Sequence, residues 1–345
     1  MENNSHQRFR PARVVALGGG TGLSTVLRGL KEYVAARRPE KRPRPIADLA
    51  AVVTVTDDGG SSGRLRREYR VLPPGDIRNC MVALSKDEHL LTHLFQYRFP
   101  SGGGLGGHSF GNLFLTALTN VTGDFPEAIR VSSQVLAIRG RIFPSTEQNV
   151  TLEAELEDGT IVAGESKISK SRKAIRSVRL VPRRVRAFPE VLRAIREADL
   201  VLVGPGSLYT SIIPNLLIDG VVDAIARSRA KCVYIANLMT QPGETQHYSV
   251  ADHVRAIYEH TRRKLFDFVV INRAAVAPRL LRRYRASGAE QVTASYAELD
   301  RMGLKYVTGD LVQQEGVVRH DQTRLSRLLV DQFVKHRVAG RRAGG

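Results

Sequence analysis

"ARVVALGGGTGLSTVLRGLKEYVAAR", residues 12–37, decides the fold class. The aliphatic run Val14 to Leu17 stops at Gly18, Gly19, Gly20 and Gly22, and the apolar period then changes. Leu23, Val26, Leu27 and Leu30 recur at helical spacing, so the stretch predicts a short buried strand, a glycine turn and an amphipathic helix. The same rhythm returns along the chain. "IADLAAVVTVTDDGG" predicts a second strand, "DIRNCMVALSKDEHLLTHLFQYRF" a helix with Asp76 as its N-cap, and "SGGGLGGHSFGNLFLTALTN" a glycine-rich loop entering another helix. Further on, "DLVLVGPGS", "KCVYIANL" and "FDFVVINRA" are strands. Helices are expected at "FPEVLRAIREA", "IPNLLIDGVVDAIARSRA" and "VADHVRAIYEHTRRK". Alternation of this kind predicts an α/β fold: a Rossmann-like, mostly parallel sheet covered on both faces.

One stretch departs from it. Between 135 and 182 the residues alternate with period two around an Asp158-Gly159 turn, a hairpin signal, so a small antiparallel β insertion is expected there. The organisation predicted is one α/β domain over 12–325, an inserted β subdomain at 135–182, and basic, mobile termini at 1–11 and 331–345.

The 345 residues suffice for a full core. Two cysteines, Cys80 and Cys232, show no metal-type spacing and suit a reducing compartment as small core residues. No signal stretch or membrane-length apolar run is visible, so a soluble cytoplasmic protein without a membrane span is expected. The 52 Lys and Arg outnumber 34 Asp and Glu, for a net charge of +18. The surplus clusters at 37–45, 167–186 and the C-terminus. No nucleic-acid motif or aromatic–basic array accompanies it, so the charge predicts a solvated basic surface that attracts anionic metabolites ahead of nucleic-acid binding, a reading that rests on charge alone. The 167–186 cluster could also dock an acidic partner.

Chemistry in an open parallel sheet belongs at the carboxyl ends of its strands. The turn Gly18 to Gly22, with Thr21 and Ser24, permits close backbone approach and presents helix N–H groups to an anion. It fits neither G-x-G-x-x-G nor a P-loop. "GPGSLYTS" repeats the logic with Gly204, Gly206 and Ser207, so the two turns together suggest two anionic groups or one diphosphate. At the end of the second strand, Asp57 and Asp58 could meet a ribose hydroxyl, share a magnesium ion, or merely cap the Gly59-Gly60 turn. Asp76 and Asn79 stand at another helix start. "GHSFG" at 107–111 lacks the strand that a nucleophile elbow requires, so Ser109 is not expected to be an acyl nucleophile. His108, Ser109 and Asn112 remain polar ligand candidates, while His89 and His93 suggest an ordinary helix face.

Taken in order, "LGGGTGLSTVLRGLK", "AVVTVTDDGGSSGRLR", "PPGDIRNCMVALS", "GHSFGNLFLTALT", "GPGSLYTSIIPNLL" and "NLMTQPGET" resemble the signature of the gluconeogenesis factor family, the YvcK-like proteins. That family is related to the 2-phospho-L-lactate transferases, the CofD-like proteins. The resemblance spans about residues 12 to 325. It implies a UDP-sugar ligand, typically UDP-N-acetylglucosamine, and a regulatory role in gluconeogenic growth and cell-wall morphogenesis, with no cofactor required. The alternative it implies is a magnesium-dependent, CofD-like transferase acting on a nucleotide diphosphate-linked donor, with Asp57 and Asp58 as the metal residues.

Under that resemblance the ligand set is Gly19, Gly20, Thr21, Gly22, Asp57, Asp58, Arg78, Asn79, His108, Ser109, Asn112, Gly204, Gly206, Ser207, Asn237, Thr240, Tyr284 and Arg319. The diphosphate would lie against the two glycine turns, with Arg64 or Arg78 as a bidentate partner. Tyr284 and Arg319 would take the nucleotide, and Asn237, Thr240, Gln241 and Glu244 suit sugar hydroxyls or, in a transferase, a catalytic base. A protein partner and a homo-oligomer are also expected.

Overall fold

The computed structural model describes residues 10–35, 44–86 and 88–335. The expected basic termini, and most of the 37–45 cluster, lie largely outside these residues. The central sheet contains β1 (Ala12–Gly18), β2 (Ile46–Val53), β3 (Arg141–Pro144), β7 (Leu200–Val203), β8 (Lys231–Ile235), β9 (Phe268–Asn272) and β10 (Lys305–Gly309). Its order is β10-β9-β8-β7-β1-β2-β3, and every neighbouring pair is parallel. The expected α/β class is what the chain adopts. A three-stranded antiparallel sheet, β5-β4-β6, is formed by β4 (Thr151–Leu156), β5 (Ile161–Ala163) and β6 (Ile175–Val181). The expected turn joins β4 to β5, with Gly159 at φ 81°.

Strand order places the site. From β1 the chain moves outward through β2 to β3, and from β7 it moves the opposite way through β8 and β9 to β10. With right-handed crossovers, this reversal puts the two sets of connecting helices on opposite faces and opens a crevice between β1 and β7. Buried on both sides, these strands read as continuous apolar runs: Leu200 to Val203 are at most 1% exposed. Helix α1 (Gly20–Leu30) follows β1 and buries Leu23, Val26, Leu27 and Leu30, as their spacing predicts.

Several expectations about the elements change, the first being that the helix expected over 76–99 divides into Gly75–Leu84 and Glu88–Gln96. Residues 141–144, expected in the insertion, form β3 at the edge of the main sheet, because Arg141 to Pro144 pair in parallel with Ala50 to Val53. The helix expected across Ile213 to Ala230 is interrupted: Ile213–Leu216 and Val221–Arg227 are separate helices, with Gly220 at φ 89° between them. The fold also continues past 325. Helix Gln322–Leu329 packs on α1, and Phe333 and Val334 are buried, so 331–334 belong to the core and not to a tail. Helices at 60–69, 125–135, 278–286, 296–301 and 322–329 were not expected, and the first shows why. Its single buried apolar residue, Leu65, is too few to set a period, yet α2 (Gly60–Tyr69) forms there.

The basic stretch 167–186 is partly neutralised by neighbours. Arg176 pairs with Glu155 and Arg179 with Glu153 across β6 and β4, and Lys173 pairs with Asp158 at the turn, so three of its nine cations have acidic partners. Cys80 and Cys232 are free and buried, as expected. No helix among the described residues is long and apolar enough to cross a membrane.

The two glycine turns touch. A Cβ on Gly22 would lie 2.3 Å from the Pro205 carbonyl oxygen and 2.8 Å from its carbon. Ala is ordinarily better than Gly inside a helix by roughly 1 kcal/mol. Gly22→Ala is nevertheless expected to destabilise the protein by about 1–3 kcal/mol through backbone overpacking. A lowered urea midpoint would show this; an unchanged or raised one would contradict the contact.

Candidate functional site

A cavity of about 600 Å³ occupies the crevice at the carboxyl ends of β1 and β7. Gly19, Gly20, Thr21 and Gly22 line one wall, and Gly206 and Ser207 face it from the second turn. The N-cap of α1 is Gly19, which has no side chain to bind the first-turn N–H groups. Those groups lack helical acceptors. One is satisfied from a distance: the Asp76 carboxylate accepts the Gly20 N–H at 2.7 Å. Asp76 therefore does not cap its own helix, α3 (Gly75–Leu84), whose N-cap is Pro74. Burial, the backbone bond notwithstanding, pushes its carboxyl up to about 6.

The second turn is held from its flanks. Asn237 clamps the Gly206 peptide, accepting from its N–H at 3.1 Å and donating to its carbonyl at 2.8 Å. Gln241 Nε2 donates to Ser207 Oγ at 2.7 Å, while its buried Oε1 has no partner among the described residues. Asn215 Nδ2 donates to the Gly18 carbonyl at 2.9 Å, tying the segment after the second turn to the first. Gly204, at φ 83°, shapes the turn from beneath and does not line the cavity. Thr240 lines it but is committed to a neighbour: its Oγ1 accepts from the Glu290 N–H at 2.9 Å. Glu244 lies outside the lining, and burial pushes its carboxyl up to about 7.

The far end has another character. Leu238, Met239, Pro242, Ala289 and Val318 supply apolar surface beside Tyr284, Arg319 and His320. The Tyr284 hydroxyl accepts the Val318 N–H at 3.0 Å, which fixes the ring against that wall. Tyr284 and Arg319, far apart in sequence, are thus brought to one end of the crevice. Burial lowers the His320 pKa to about 4, so its ring is neutral at physiological pH.

The adjacent carboxylates part company. Asp57 lines the crevice, and its Oδ1 accepts the Gly59 N–H at 2.9 Å, a local turn bond of the kind its sequence suggested. Asp58 turns to the insertion. Its Oδ1 accepts the Ser166 N–H at 2.9 Å and the Ser166 hydroxyl, anchoring the short helix Glu165–Ile168. The two therefore do not form one chelating pair. Among the described residues no group of three or more His, Cys, Asp or Glu is placed to hold a metal, and His89 and His93 join none. A magnesium ion at Asp57 would fit only as one held by a single carboxylate or two and completed by ligand oxygens.

The remaining candidates lie elsewhere. Arg78, Asn79 and Asn112 line a second cavity of about 270 Å³, which shares Asp57 and Asp76 with the crevice. His108 and Ser109 line neither cavity. Ser61 Oγ is 2.9 Å from His108 Nδ1, and Ser109 Oγ accepts from Arg78 at 2.7 Å and caps the helix Phe110–Thr122. With no strand before it, Ser109 is not poised as a nucleophile. Arg64 donates to the Gly106 carbonyl and does not reach the crevice, which leaves Arg319 as the arginine of its lining.

Several lining residues carry no sequence signal of their own. Thr54 and Thr56 continue β2 past the sheet, where an alternating β-branched run reads simply as strand. Glu165 arrives from the insertion and joins the wall only through its fold. Burial, with Asp57 and Asp58 nearby, pushes its carboxyl up to about 7.

Residues 14–312 match the family described as 2-phospho-L-lactate transferase CofD. The chain is 46% identical over 320 residues to the gluconeogenesis factor of Bacillus subtilis, covering 92% of this chain and 97% of that one. It is 44% identical to the gluconeogenesis factor of Halalkalibacterium halodurans, covering 94% and 97% respectively. Its fold is similar to the crystal structure of a UPF0052 family member from Bacillus halodurans, with TM-score 0.86 and 43% identity, covering 93% of this chain and 99% of that one.

The raised acids give stability a sign. Asp76 and Glu165 hold their protons more tightly when folded, so their contribution is best below about pH 4 and is lost as pH rises toward about 7. Asp76→Asn keeps an acceptor for the Gly20 N–H and removes the buried charge. Its stability relative to the parent should rise between pH 4 and 7 in urea titrations; a pH-independent difference would contradict this environment.

Proposed function

The chain belongs to the 2-phospho-L-lactate transferase CofD family and, within it, to the gluconeogenesis factors; from that premise we propose that it binds a UDP-sugar, UDP-N-acetylglucosamine foremost. In this reading it is a cytoplasmic regulatory protein for gluconeogenic growth and cell-wall morphogenesis. It acts through a protein partner and as a homo-oligomer, and binding requires no cofactor.

One observation carries the ligand class: two glycine turns meet at the switch point, while an aromatic ring and an arginine stand at the other end of the same crevice. A diphosphate suits the turns, because uncapped helix N–H groups and fixed dipoles favour anions. Tyr284 offers a flat face to a base, and Arg319 a planar fork to a base edge or phosphate. Ser207, Thr54 and the unpartnered Gln241 Oε1 suit sugar hydroxyls. Asn237 and Thr240, engaged with their neighbours, position the wall. The cavity of about 600 Å³ lies within the roughly 300–1,000 Å³ usual for small-molecule sites.

A second reading, a magnesium-dependent transferase with a nucleotide diphosphate-linked donor, is favoured by Asp57, Asp76 and Glu165 around the crevice. Magnesium held at Asp57 with ligand phosphates would polarise a phosphoryl oxygen. Glu165, with its raised affinity for a proton, would accept one from an attacking hydroxyl.

Calorimetry separates the two. UDP-N-acetylglucosamine should bind in the micromolar range without turnover, and Tyr284→Ala and Arg319→Ala should each weaken it by about tenfold, roughly 1.4 kcal/mol. Absence of heat with any UDP-sugar would refute the binding reading. Magnesium-dependent consumption of a nucleotide diphosphate donor, lost in Asp57→Asn, would replace it with the transferase.

A further inference from the structure

We propose that the cavity at the β3 edge of the central sheet is a second binding site, built for a primary amine on an apolar stem. It encloses about 480 Å³, within the roughly 300–1,000 Å³ usual for small-molecule sites. It shares no lining residue with the crevice, which opens between β1 and β7, and β2 separates β1 from β3.

The floor is apolar. Ile138, Ile142, Phe143, Pro144 and Phe188 line it, and the Phe143 and Phe188 rings stand 6.0 Å apart, centre to centre, at 47°. Such rings give an apolar stem a surface to pack on, and their π faces attract a cation.

Charge at the rim sets the sign of the ligand. In a chain of net charge +18, Asp124, Glu127, Glu147 and Glu190 gather here against Arg130 and Arg141. Both arginines are already engaged. Arg130 pairs with Glu127 on its own helix, and Arg141 pairs with Asp48 while lying over the Phe143 ring. Asp124 caps that helix, its Oδ2 accepting the Glu127 N–H at 2.9 Å, and neither it nor Glu147 nor Glu190 forms an ion pair among the described residues. Glu147 feels the surplus: partial desolvation, then Asp124 and Glu190, raise its pKa, and no cation offsets them. No group of three or more acids among the described residues is placed to hold a metal ion, so the field suits a diffuse organic cation.

The strand edge adds acceptors of its own. Ser145 donates to the Val53 carbonyl at 2.9 Å, so the alternate residues Ile142 and Pro144 turn their peptide groups away from β2. No strand among the described residues lies beyond them. Pro144 has no N–H, which leaves two carbonyls against one donor and makes the edge unsuited to a further strand. An ammonium, with three donors and no acceptor, matches carbonyls and carboxylates together.

Calorimetry on the full chain with 2-phenylethylamine, its neutral counterpart 2-phenylethanol, and ammonium chloride tests the site. The amine should bind saturably, the alcohol about tenfold more weakly, and ammonium without saturation. Glu147→Gln combined with Glu190→Gln, at rim positions outside the core, should weaken the amine by about tenfold, each partly exposed charge contributing a few-fold. Arg319→Gln, in the crevice, should leave its affinity unchanged. No saturable heat with millimolar amine, or equal affinity for amine and alcohol, would overturn the proposal. So would amine binding that Arg319→Gln abolishes and the double variant spares, which would place the amine in the crevice. UDP-N-acetylglucosamine titrated separately reports on the crevice alone, so either site can fail without the other.

Discussion

The closeness of two backbone turns governs the site. Gly22 sits so near the Pro205 carbonyl that any side chain would collide with it, and Asn237 and Asn215 hold the surrounding peptides from either side. These contacts bring the carboxyl ends of β1 and β7 together at the place where strand order reverses. Everything functional depends on that junction. The N-terminus of α1 is aimed into the crevice by it, and the wall carrying Gly206 and Ser207 is set opposite.

Electrostatics adds an opposing demand. The crevice between the helix N-termini is bordered by Asp57, Asp76 and Glu165, and burial raises the latter two acids' hold on their protons. Asp76 repays part of its cost by capping α1 from another element. Asp57 and Asp76 also border the smaller cavity beside it, with Arg78 and Arg98 on its other sides.

The fold was legible where periodicity is strong. The strand, glycine turn and helix at 12–30 announce a parallel sheet, and Asp158-Gly159 announces the hairpin, because both signals are local. Strand order is not local: Arg141 to Pro144 look like more of the antiparallel insertion and pair instead with β2. The same limit applied to the site. Glycine turns and Asp57 were visible as strand-end chemistry, but Asp76 reaches Gly20 across 56 positions, and Glu165 enters from the insertion. Adjacent Asp57 and Asp58 suggested a pair on sequence grounds. Extended backbone sends neighbouring side chains to opposite sides, and Asp58 serves the insertion.

The most direct measurement is amide hydrogen exchange with and without UDP-N-acetylglucosamine, followed at residues 20–23 and 206–209. A diphosphate held between the turns predicts slowed exchange at both segments together. Protection at neither, or at one turn alone, would contradict the account.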